Sequence, residues 1–293
     1  MGSKTAIVTG VHISPSGGAA GIGLAIVEYL AQSKHEIAHV TILDIDAPTG
    51  EVVLKSLGVK FPNFTFSFHL CDVASWEDQA RAFSDVYAEN GRINIVFANA
   101  GIAETGPLFT TTGDNPVKPD LKACDVDLFG AMYKSVFCSC LTRAFYISKN
   151  QPSASMGLKG SVICTASMAG LYPLSLVPIY SAAKYGVVGL VRGLAGQLRH
   201  EHIQINAVAS VCQTNLGARL RLPGITFTPL TAVTRGVEML LSDPVLNGKV
   251  AEISGDQIAF AEPPGVVDES MKNNLADLES LAERIWNGEV QRP

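Results

Sequence analysis

Few side chains in this sequence carry a charge, and neither sign of charge is concentrated in one stretch. Charged residues make up 17% of the 293 residues, below the roughly 25% of an average soluble protein. The 22 basic and 27 acidic side chains leave a net charge of −5 at pH 7. This balance, without a basic cluster, argues against nucleic acid or an anionic membrane as the main partner.

The sequence also lacks a hydrophobic run of the kind that spans a membrane. Its longest uncharged stretch, residues 160–183, contains several hydroxyl side chains together with Pro173 and Pro178, unlike a lipid-exposed helix. The first four residues lead directly into a strand-like run, and Ala6 stands where a myristoylation motif needs Ser or Thr. We therefore expect neither a secretory signal nor a lipid anchor.

Cysteine is sparse and irregularly placed. The six cysteines do not have the spacing of a metal site, and Cys138 and Cys140 lie too close together for a disulfide or a metal-binding pair. This usage favours a reduced, cytoplasmic protein and predicts no metal.

What the sequence does contain is a regular alternation of short apolar runs with helix-length segments. Ser75 and Asp78, for example, predict a capping box for a helix that ends at Asn90 and Gly91. Strands that alternate with helices predict a Rossmann-like α/β fold, a doubly wound parallel sheet with helices on both faces. About seven buried strands are expected, at residues 5–9, 40–44, 64–69, 93–98, 161–165, 203–208 and 250–254.

No repeat, charge run or linker divides the chain, so we predict one domain over residues 1–256. Residues 102–119, rich in Thr, Gly and Pro, are expected to form a loop near the strand ends. Residues 257–293 are predicted to be a C-terminal extension rather than a separate domain. Within it, apolar side chains at helical spacing predict a helix over 268–286 that packs on substrate-side loops or on a second subunit. These side chains are Met271, Leu275, Leu278, Leu281 and Ile285.

A glycine cluster after the first predicted strand indicates a nucleotide site. Gly10 and the stretch 17–23 open an apolar helix, where glycines let the backbone approach a pyrophosphate and the helix N-terminus supplies amides. Asp44 follows Gly23 by 21 residues, near the roughly 20-residue offset of an acid that binds a ribose 2′-hydroxyl. A carboxylate there repels a 2′-phosphate, which favours NAD over NADP. The alternative is that Asp44 only caps the turn at 46–48.

A second constellation carries acid–base chemistry. Tyr180 and Lys184 are one helical turn apart, and Ser167 lies thirteen residues before Tyr180. A phenol with a reference pKa of about 10 is a poor base at neutral pH, but a nearby ammonium favours the phenolate. Ser167 can donate a hydrogen bond to a substrate oxygen. The alternative is a surface aromatic beside a solvated lysine.

These motifs, in this order, resemble the short-chain dehydrogenase/reductase family over roughly residues 4–256. Residues 71–73, 167–170, 186–189 and 246–248 are most similar to the NAD-dependent 15-hydroxyprostaglandin dehydrogenase type. The resemblance implies that Ser167 binds the substrate oxygen, Tyr180 is the acid/base, and Lys184 holds the nicotinamide ribose while tuning Tyr180. The cofactor-binding residues it implies are Gly10, Gly21, Ile22, Gly23, Asp44, Ile45, Asp72, Val73, Asn99, Ala100, Gly101, Tyr180 and Lys184.

The sequence departs from this family pattern at three places. Residues 11–17 lengthen the glycine turn, which we expect to weaken cofactor binding unless His12 or Ser14 contacts phosphate. Asp127 stands where the family has an Asn that orients a water between the active-site Lys and solvent, so we predict that Asp127 belongs to the catalytic set. The Pro-Gly pair usual after the sixth strand is replaced by residues 210–212.

We therefore expect an NAD(H)-dependent oxidoreductase that interconverts a secondary alcohol and a ketone, in a homodimer or homotetramer. Leu171, Tyr172, Leu174 and Leu176 suggest a lipophilic substrate, although plain core packing would also explain them. The alternative is a relative that binds a dinucleotide or metabolite and acts in cyclisation, isomerisation or partner binding. A purely structural or nucleic-acid-binding module fits least, because the catalytic trio is retained and the chain is acidic.

Overall fold

The computed structural model describes most of the chain. The described residues are 4–11, 21–104, 106, 108, 111–112, 115–138, 146–147, 149–150, 152, 156–212 and 224–291. Residues 12–20, which hold most of the inserted glycine turn with His12 and Ser14, therefore lie outside the described part. Within the described ranges, no helix is both long and apolar enough to cross a membrane.

An eight-stranded sheet forms the centre of the fold. Its strands are β1 (Lys4–Thr9), β2 (Ile37–Asp44), β3 (Thr65–Leu70), β4 (Ile95–Ala98), β7 (Gly160–Thr165), β8 (Ile203–Ser210), β9 (Val250–Ser254) and β10 (Gln257–Phe260). They lie in the order β10-β9-β8-β7-β4-β1-β2-β3. Neighbouring strands run parallel except for the antiparallel pair β9–β10. A separate small hairpin joins β5 (Thr111–Thr112) to β6 (Asn115–Pro116).

Helices cover both faces of this sheet. They are α1 (Ile22–Gln32), α2 (Ala47–Lys60), α3 (Trp76–Asn90), α4 (Lys122–Cys124), α5 (Gly130–Cys138), α6 (Pro178–His200), α7 (Leu230–Ser242) and α8 (Glu269–Trp286). One buried core joins the sheet to α3 and α6, and the other joins it to α1 and α7. A π-helical turn, Asp125–Phe129, separates α4 from α5.

The predicted fold class is confirmed, and the seven predicted apolar runs all correspond to parallel strands. Two details differ from the prediction. The sheet continues into β10, beyond residue 256, because the chain turns back after β9 and pairs Phe260 with Ala251. The predicted loop 102–119 contains the hairpin β5–β6. Neither difference moves the strands that frame the cavity described below.

The capping of α3 follows the sequence prediction in part. The Asp78 N–H donates to Ser75 Oγ at 3.1 Å, and the helix ends at Gly91 in the left-handed conformation. The Asp78 carboxylate, however, accepts the N–H of Asp72 at 3.1 Å instead of reaching back to Ser75. The start of α3 is thereby fastened to the turn after β3.

Three valines of the uncharged stretch 187–191 in α6 lie inside the protein. Val187, Val188 and Val191 are all buried in the core against the sheet. Gly189, in the same stretch, is exposed. The homodimer or homotetramer expected from the sequence stays a prediction.

Helix α8 has the predicted extent. Among the described residues it packs on α6 rather than on the substrate-side loops. Its contact with α6 lies at the C-terminal end, where Trp286 covers Gly196 and His200 pairs with Glu283 at 2.8 Å. Packing on a second subunit stays a prediction. The remaining apolar stripe is exposed to 47% at Met271, 46% at Leu275, 62% at Leu278 and 40% at Leu281.

Candidate active site

A cavity of about 620 Å³ opens at the carboxyl ends of the parallel strands. Residues that follow β1, β2, β3, β4, β7 and β8 line it. The strand order reverses between β1 and β4, and open α/β sheets bind ligands in the crevice at such a switch point. The fold therefore places a ligand site where the sequence motifs converge.

Nearly all of the predicted site residues line this one cavity. Two do not: Gly23 lies beneath the turn at Gly10, and Asp127 lies behind Lys184. The lining residues among the predicted set are Gly10, Gly21, Ile22, Asp44, Ile45, Asp72, Val73, Asn99, Ala100, Gly101, Ser167, Tyr180 and Lys184.

The backbone around the first turn is packed too tightly for side chains. Gly10 has φ +70°, and a Cβ on it would lie 2.5 Å from Ala100 Cα. A Cβ on Gly23 would lie 2.4 Å from the Gly10 carbonyl oxygen. Because only glycine fits at both positions, α1 begins directly against the end of β1.

The start of α1 faces the cavity and fits the pyrophosphate of a dinucleotide. Gly21 is the N-cap and has no side chain to satisfy the first amides of the helix, while Gly21 and Ile22 both line the cavity. Amides and the positive end of a helix at such a place favour an anion. The amides of Gly21 and Ile22 could therefore bind the pyrophosphate of a dinucleotide.

Asn99 works as a framework residue at the strand ends. Its Nδ2 donates to the carbonyl oxygens of Thr9 and Gly10, each at 3.0 Å, and its Oδ1 accepts the Thr165 hydroxyl at 2.9 Å. The Thr9 hydroxyl in turn accepts the N–H groups of Asn99 and Ala100 at 3.0 Å. This network ties β1, β4 and β7 together and fixes the floor of the cavity.

Asp44 is buried at the edge of the cavity, and two backbone N–H groups hold its carboxylate in place. Its Oδ2 accepts the Val11 N–H at 2.8 Å, and its Oδ1 accepts the Asp46 N–H at 3.0 Å. The cap of α2 is Asp46, whose Oδ1 accepts the Thr49 N–H at 3.1 Å. Asp44 therefore does cap the turn that begins at Asp46, as the alternative interpretation holds, and its binding of a ribose stays a prediction. A carboxylate has about four acceptor positions, so these contacts are compatible with a further bond to a ribose hydroxyl.

Asp72 and Val73 form a rigid wall after β3. Asp72 Oδ1 accepts the Ala74 N–H at 2.9 Å. Gln79 Nε2 donates to the carbonyl oxygens of Val73 and, at 3.2 Å, Gly130. This wall stands at the same end of the cavity as Asp44.

Ser167 and Tyr180 are presented by the two elements that follow β7. The Ala169 N–H donates to Ser167 Oγ at 3.2 Å, which orients the side chain while the hydroxyl proton can donate to a substrate oxygen. Tyr180 lies in the first turn of α6, and Lys184 Nζ lies 5.5 Å from the centre of its ring. All three side chains line the same cavity, which is the arrangement that the sequence predicted.

Lys184 is held by two buried oxygen atoms. Its Nζ donates to the Thr165 carbonyl at 2.8 Å and lies 3.0 Å from Asp127 Oδ2. Asp127 Oδ1 accepts the Ile102 N–H at 2.8 Å. Asp127 is part of the π-helical turn, a local irregularity often found at functional sites. Asp127 thus contacts Lys184 directly.

The pKa values of Lys184 and Asp127 depend on burial and on the charge of the other residue. Burial alone lowers the pKa of Lys184, but the charges of Asp127 and Tyr180 outweigh it and hold that pKa above its ordinary value. Burial raises the pKa of Asp127, against the pull of Lys184 and the Ile102 N–H. An ammonium that faces a carboxylate in a buried setting remains protonated through neutral pH.

The wall of the cavity beyond Tyr180 is apolar. Of the four side chains that suggested a lipophilic substrate, Leu174 and Leu176 line it, whereas Leu171 and Tyr172 do not. Further apolar lining residues are Ile102, Ala103, Val126, Met168, Val177, Ile225 and Phe227. Over the described ranges, no three His, Cys, Asp or Glu side chains group in a way that would hold a metal.

Sequence reasoning missed one polar contact at the site. Glu104 Oε2 accepts the backbone N–H of Tyr180 at 2.7 Å. The two residues are 76 positions apart in the chain, and Glu104 belongs to no recognisable motif. Its only signal in the sequence is an acid shortly after Asn99, Ala100 and Gly101.

Comparisons with known proteins agree with this geometry. The sequence profile of the family described as short chain dehydrogenase matches residues 4–222. The short-chain dehydrogenase/reductase prx7 of Penicillium rubens is 34% identical over 203 residues, which cover 67% of this chain and 66% of prx7. The 2,5-dichloro-2,5-cyclohexadiene-1,4-diol dehydrogenase of Sphingobium indicum is 31% identical over 210 residues, 71% of this chain and 72% of that protein.

Among solved structures, levodione reductase matches with a TM-score of 0.67 at 22% identity. The match covers 87% of this chain and 98% of the reductase chain. At this level of identity the likeness speaks for the fold alone.

Proposed function

The chain belongs to the short-chain dehydrogenase/reductase family, and we propose that it is an NAD(H)-dependent oxidoreductase that interconverts a secondary alcohol and a ketone. The observation that carries this proposal is the convergence of Ser167, Tyr180 and Lys184 on the cavity at the strand ends. Hydrogen-bond donor, proton-transfer group and cation are the three parts that this reaction requires of the protein.

Residues of this chain can hold each part of the cofactor. The amides at Gly21 and Ile22 suit the pyrophosphate, Asp44 suits the adenosine ribose, and Asp72 with Val73 borders the adenine end. Lys184 suits the nicotinamide ribose. When bound, NAD(H) accepts or supplies the hydride. The preference for NAD over NADP rests on the buried Asp44 carboxylate, which would face a 2′-phosphate.

The protein's own contribution is to bind and polarise the substrate oxygen. The Ser167 hydroxyl donates to that oxygen. Tyr180 takes its proton as a phenolate during oxidation and returns it as a phenol during reduction. The ammonium of Lys184 lies 5.5 Å from the centre of the Tyr180 ring. Asp127 keeps Lys184 protonated and in place.

The substrate we propose is small and lipophilic. The cavity wall beyond Tyr180 offers Leu174, Leu176 and Phe227, and burying apolar surface there would supply binding energy. The Sphingobium relative is named for a cyclic diol, which is a secondary alcohol on an apolar ring. The resemblance to the NAD-dependent 15-hydroxyprostaglandin dehydrogenase type points to the same kind of substrate.

The test is oxidation of a panel of cyclic and long-chain secondary alcohols by the purified protein, with NAD and NADP compared. We expect NADH to form in the presence of wild-type protein and not with Tyr180→Phe, while cofactor binding is retained. Tyr185→Phe is the matched control, since the Tyr185 hydroxyl donates to the Leu171 carbonyl and does not line the cavity.

One observation favours a second candidate, a non-redox step such as cyclisation or isomerisation. Lys184 is bound directly by Asp127, where the family pattern has a neutral Asn. Two results together would favour this candidate. The protein would bind a dinucleotide without any alcohol reducing it, and the protein would still convert its substrate after the cofactor has been removed.

A further inference from the structure

Helix α6 begins without a cap of its own. Its N-cap is Val177, an apolar residue, and Pro178 in the first helical position has no N–H. The first bond within the helix runs from the Ser181 N–H to the Val177 carbonyl at 2.9 Å. The N–H groups of Ile179 and Tyr180 precede that bond, and such groups need partners from outside the helix.

Glu104 provides a partner for one of them, at the residue that matters most. Its Oε2 accepts the Tyr180 N–H at 2.7 Å. Tyr180 is the third residue of α6, so its backbone belongs to the turn with the weakest internal support. A carboxylate at this place makes a charge-assisted hydrogen bond and also complements the positive end of the helix.

The segment that carries Glu104 is itself anchored to the other half of the site. Ile102 donates its N–H to Asp127, the partner of Lys184. Ile102 and Ala103 line the cavity, while Glu104 turns away to α6. Residues 102–104 therefore connect the Lys184–Asp127 pair to the backbone of Tyr180, and they carry part of the substrate wall between them.

We propose that Glu104 is a positioning residue for Tyr180. Its carboxylate caps α6 from a distant part of the chain and fixes the phenol relative to Lys184 and the substrate wall. The inference rests on the proposed oxidoreductase function, because it assigns Glu104 a part in placing the acid/base of that reaction.

Three variants separate the features of the Glu104 side chain. Glu104→Gln keeps an acceptor oxygen at the same reach and removes the charge. Glu104→Asp keeps the charge and shortens the side chain by one methylene. Glu104→Ala removes both. Asp268→Ala is the control, since Asp268 caps α8 by accepting the Met271 N–H at 2.8 Å, far from the cavity lining.

Hydrogen exchange at the Tyr180 amide measures the hydrogen bond to Glu104 directly and requires no substrate. We expect this amide to be protected in the wild-type protein and in Glu104→Gln, and to exchange much faster in Glu104→Ala. Asp268→Ala leaves it unchanged. Equal exchange in wild type and Glu104→Ala would overturn the proposal, because the cap would then be absent in solution.

Kinetics on a responsive alcohol test the consequence for Tyr180. Misplacing a reacting group by about 1 Å can cost on the order of 100-fold in rate. We expect kcat to fall by about 10- to 100-fold in Glu104→Ala, with the Kd for NADH within about twofold of wild type, and Glu104→Gln to restore most of the loss. Glu104→Asp should behave like Glu104→Ala, and it replaces that variant if the latter is unstable.

The outcomes distinguish this proposal from the proposed function. Faster exchange at Tyr180 with unchanged kcat would leave Glu104 as a structural cap and overturn its positioning role. A wild-type protein that oxidises no alcohol, but whose Tyr180 amide depends on Glu104 for protection, would overturn the proposed reaction and with it the assignment of Glu104 to that reaction. The cap itself would stand.

Discussion

Lys184 and Asp127 form a direct ion pair, with Nζ and Oδ2 3.0 Å apart and the two side chains 3% and 0% exposed. The family resemblance implies an Asn at residue 127 that orients a water leading from the lysine to solvent. An Asn offers donor and acceptor groups, whereas an ionised Asp only accepts. The carboxylate of Asp127 binds the ammonium itself, so the two charges are neutralised within the protein.

The pH dependence of oxidation should report this pair. Asp127 raises the pKa of Lys184. In Asp127→Asn, Lys184 therefore loses its proton at lower pH. This change moves the alkaline limb of the pH–rate profile of alcohol oxidation to lower pH, and ketone reduction changes less. Steady-state rates across pH check this, and an identical profile and rate in the variant would place Asp127 outside the reaction.

Breaking the pair should cost stability. Asp127→Ala leaves the ammonium of Lys184 buried without its carboxylate, a change that costs roughly 3–5 kcal/mol. The double variant Asp127→Ala/Lys184→Met should recover part of that loss, because no charge remains buried there. Urea denaturation of the single and double variants measures both quantities.

The exposed pair Lys272–Glu269 is the control for this experiment, with side chains 64% and 71% exposed. Removing either partner should change the free energy of unfolding by less than about 1 kcal/mol. If Asp127→Ala costs no more than this control, the buried pair is not maintained in solution.

The strands and the catalytic trio were predictable because their signals are local. Buried parallel strands are continuous apolar runs, and Tyr180 and Lys184 share a helix face at fixed spacing. β10 gave no such signal, since it is a four-residue edge strand whose side chains alternate between exposed and half-buried. Its place depends on pairing with β9.

The contacts that complete the site depend on tertiary structure. Glu104 meets Tyr180 across 76 residues of chain, and the apolar side chains of Ile225 and Phe227 reach the cavity from beyond β8. Asp127 could be assigned to the site from the family resemblance, but its direct contact with Lys184 could not. That contact follows from the π-helical turn and from the close approach of Gly101, where a Cβ would lie 2.9 Å from Asp127 Oδ2.

Gly23→Ala should abolish dinucleotide binding. The added Cβ would lie 2.4 Å from the Gly10 carbonyl oxygen and 2.8 Å from Asn99 Nδ2, so α1 has to move away from β1 and the cradle for the pyrophosphate widens. Fluorescence titration with NADH measures the loss. Gly58→Ala is the control, because nothing lies within 4 Å of its Cβ position in α2. That variant should bind normally and gain about 0.5–1 kcal/mol in stability. Normal NADH binding by Gly23→Ala would contradict the tight turn.

Truncation after Pro264 tests the exposed stripe of α8. One of the two sequence predictions is that the stripe packs on a second subunit. If it does, the shortened protein should contain fewer subunits per particle in sedimentation than the full-length protein. Leu278→Asp should have the same effect, since it places a charge on the most exposed leucine of the stripe. Val245→Asp, at an exposed valine after α7, serves as the control. Unchanged oligomer size, thermal stability and activity would make α8 a passive appendage.

Asp44 should make the protein prefer NADH to NADPH. Its carboxylate is fixed at the cavity edge by the N–H groups of Val11 and Asp46, so it cannot turn away from a 2′-phosphate without breaking those bonds. Charge repulsion and a lost charge-assisted hydrogen bond, worth about 1.5–3 kcal/mol, should weaken NADPH binding at least tenfold. Asp44→Asn keeps an acceptor and removes the charge, so the gap between the two dissociation constants should narrow mainly through tighter NADPH binding. Titration of both cofactors against wild type and variant measures this, and tighter binding of NADPH than NADH by the wild-type protein would refute the assignment.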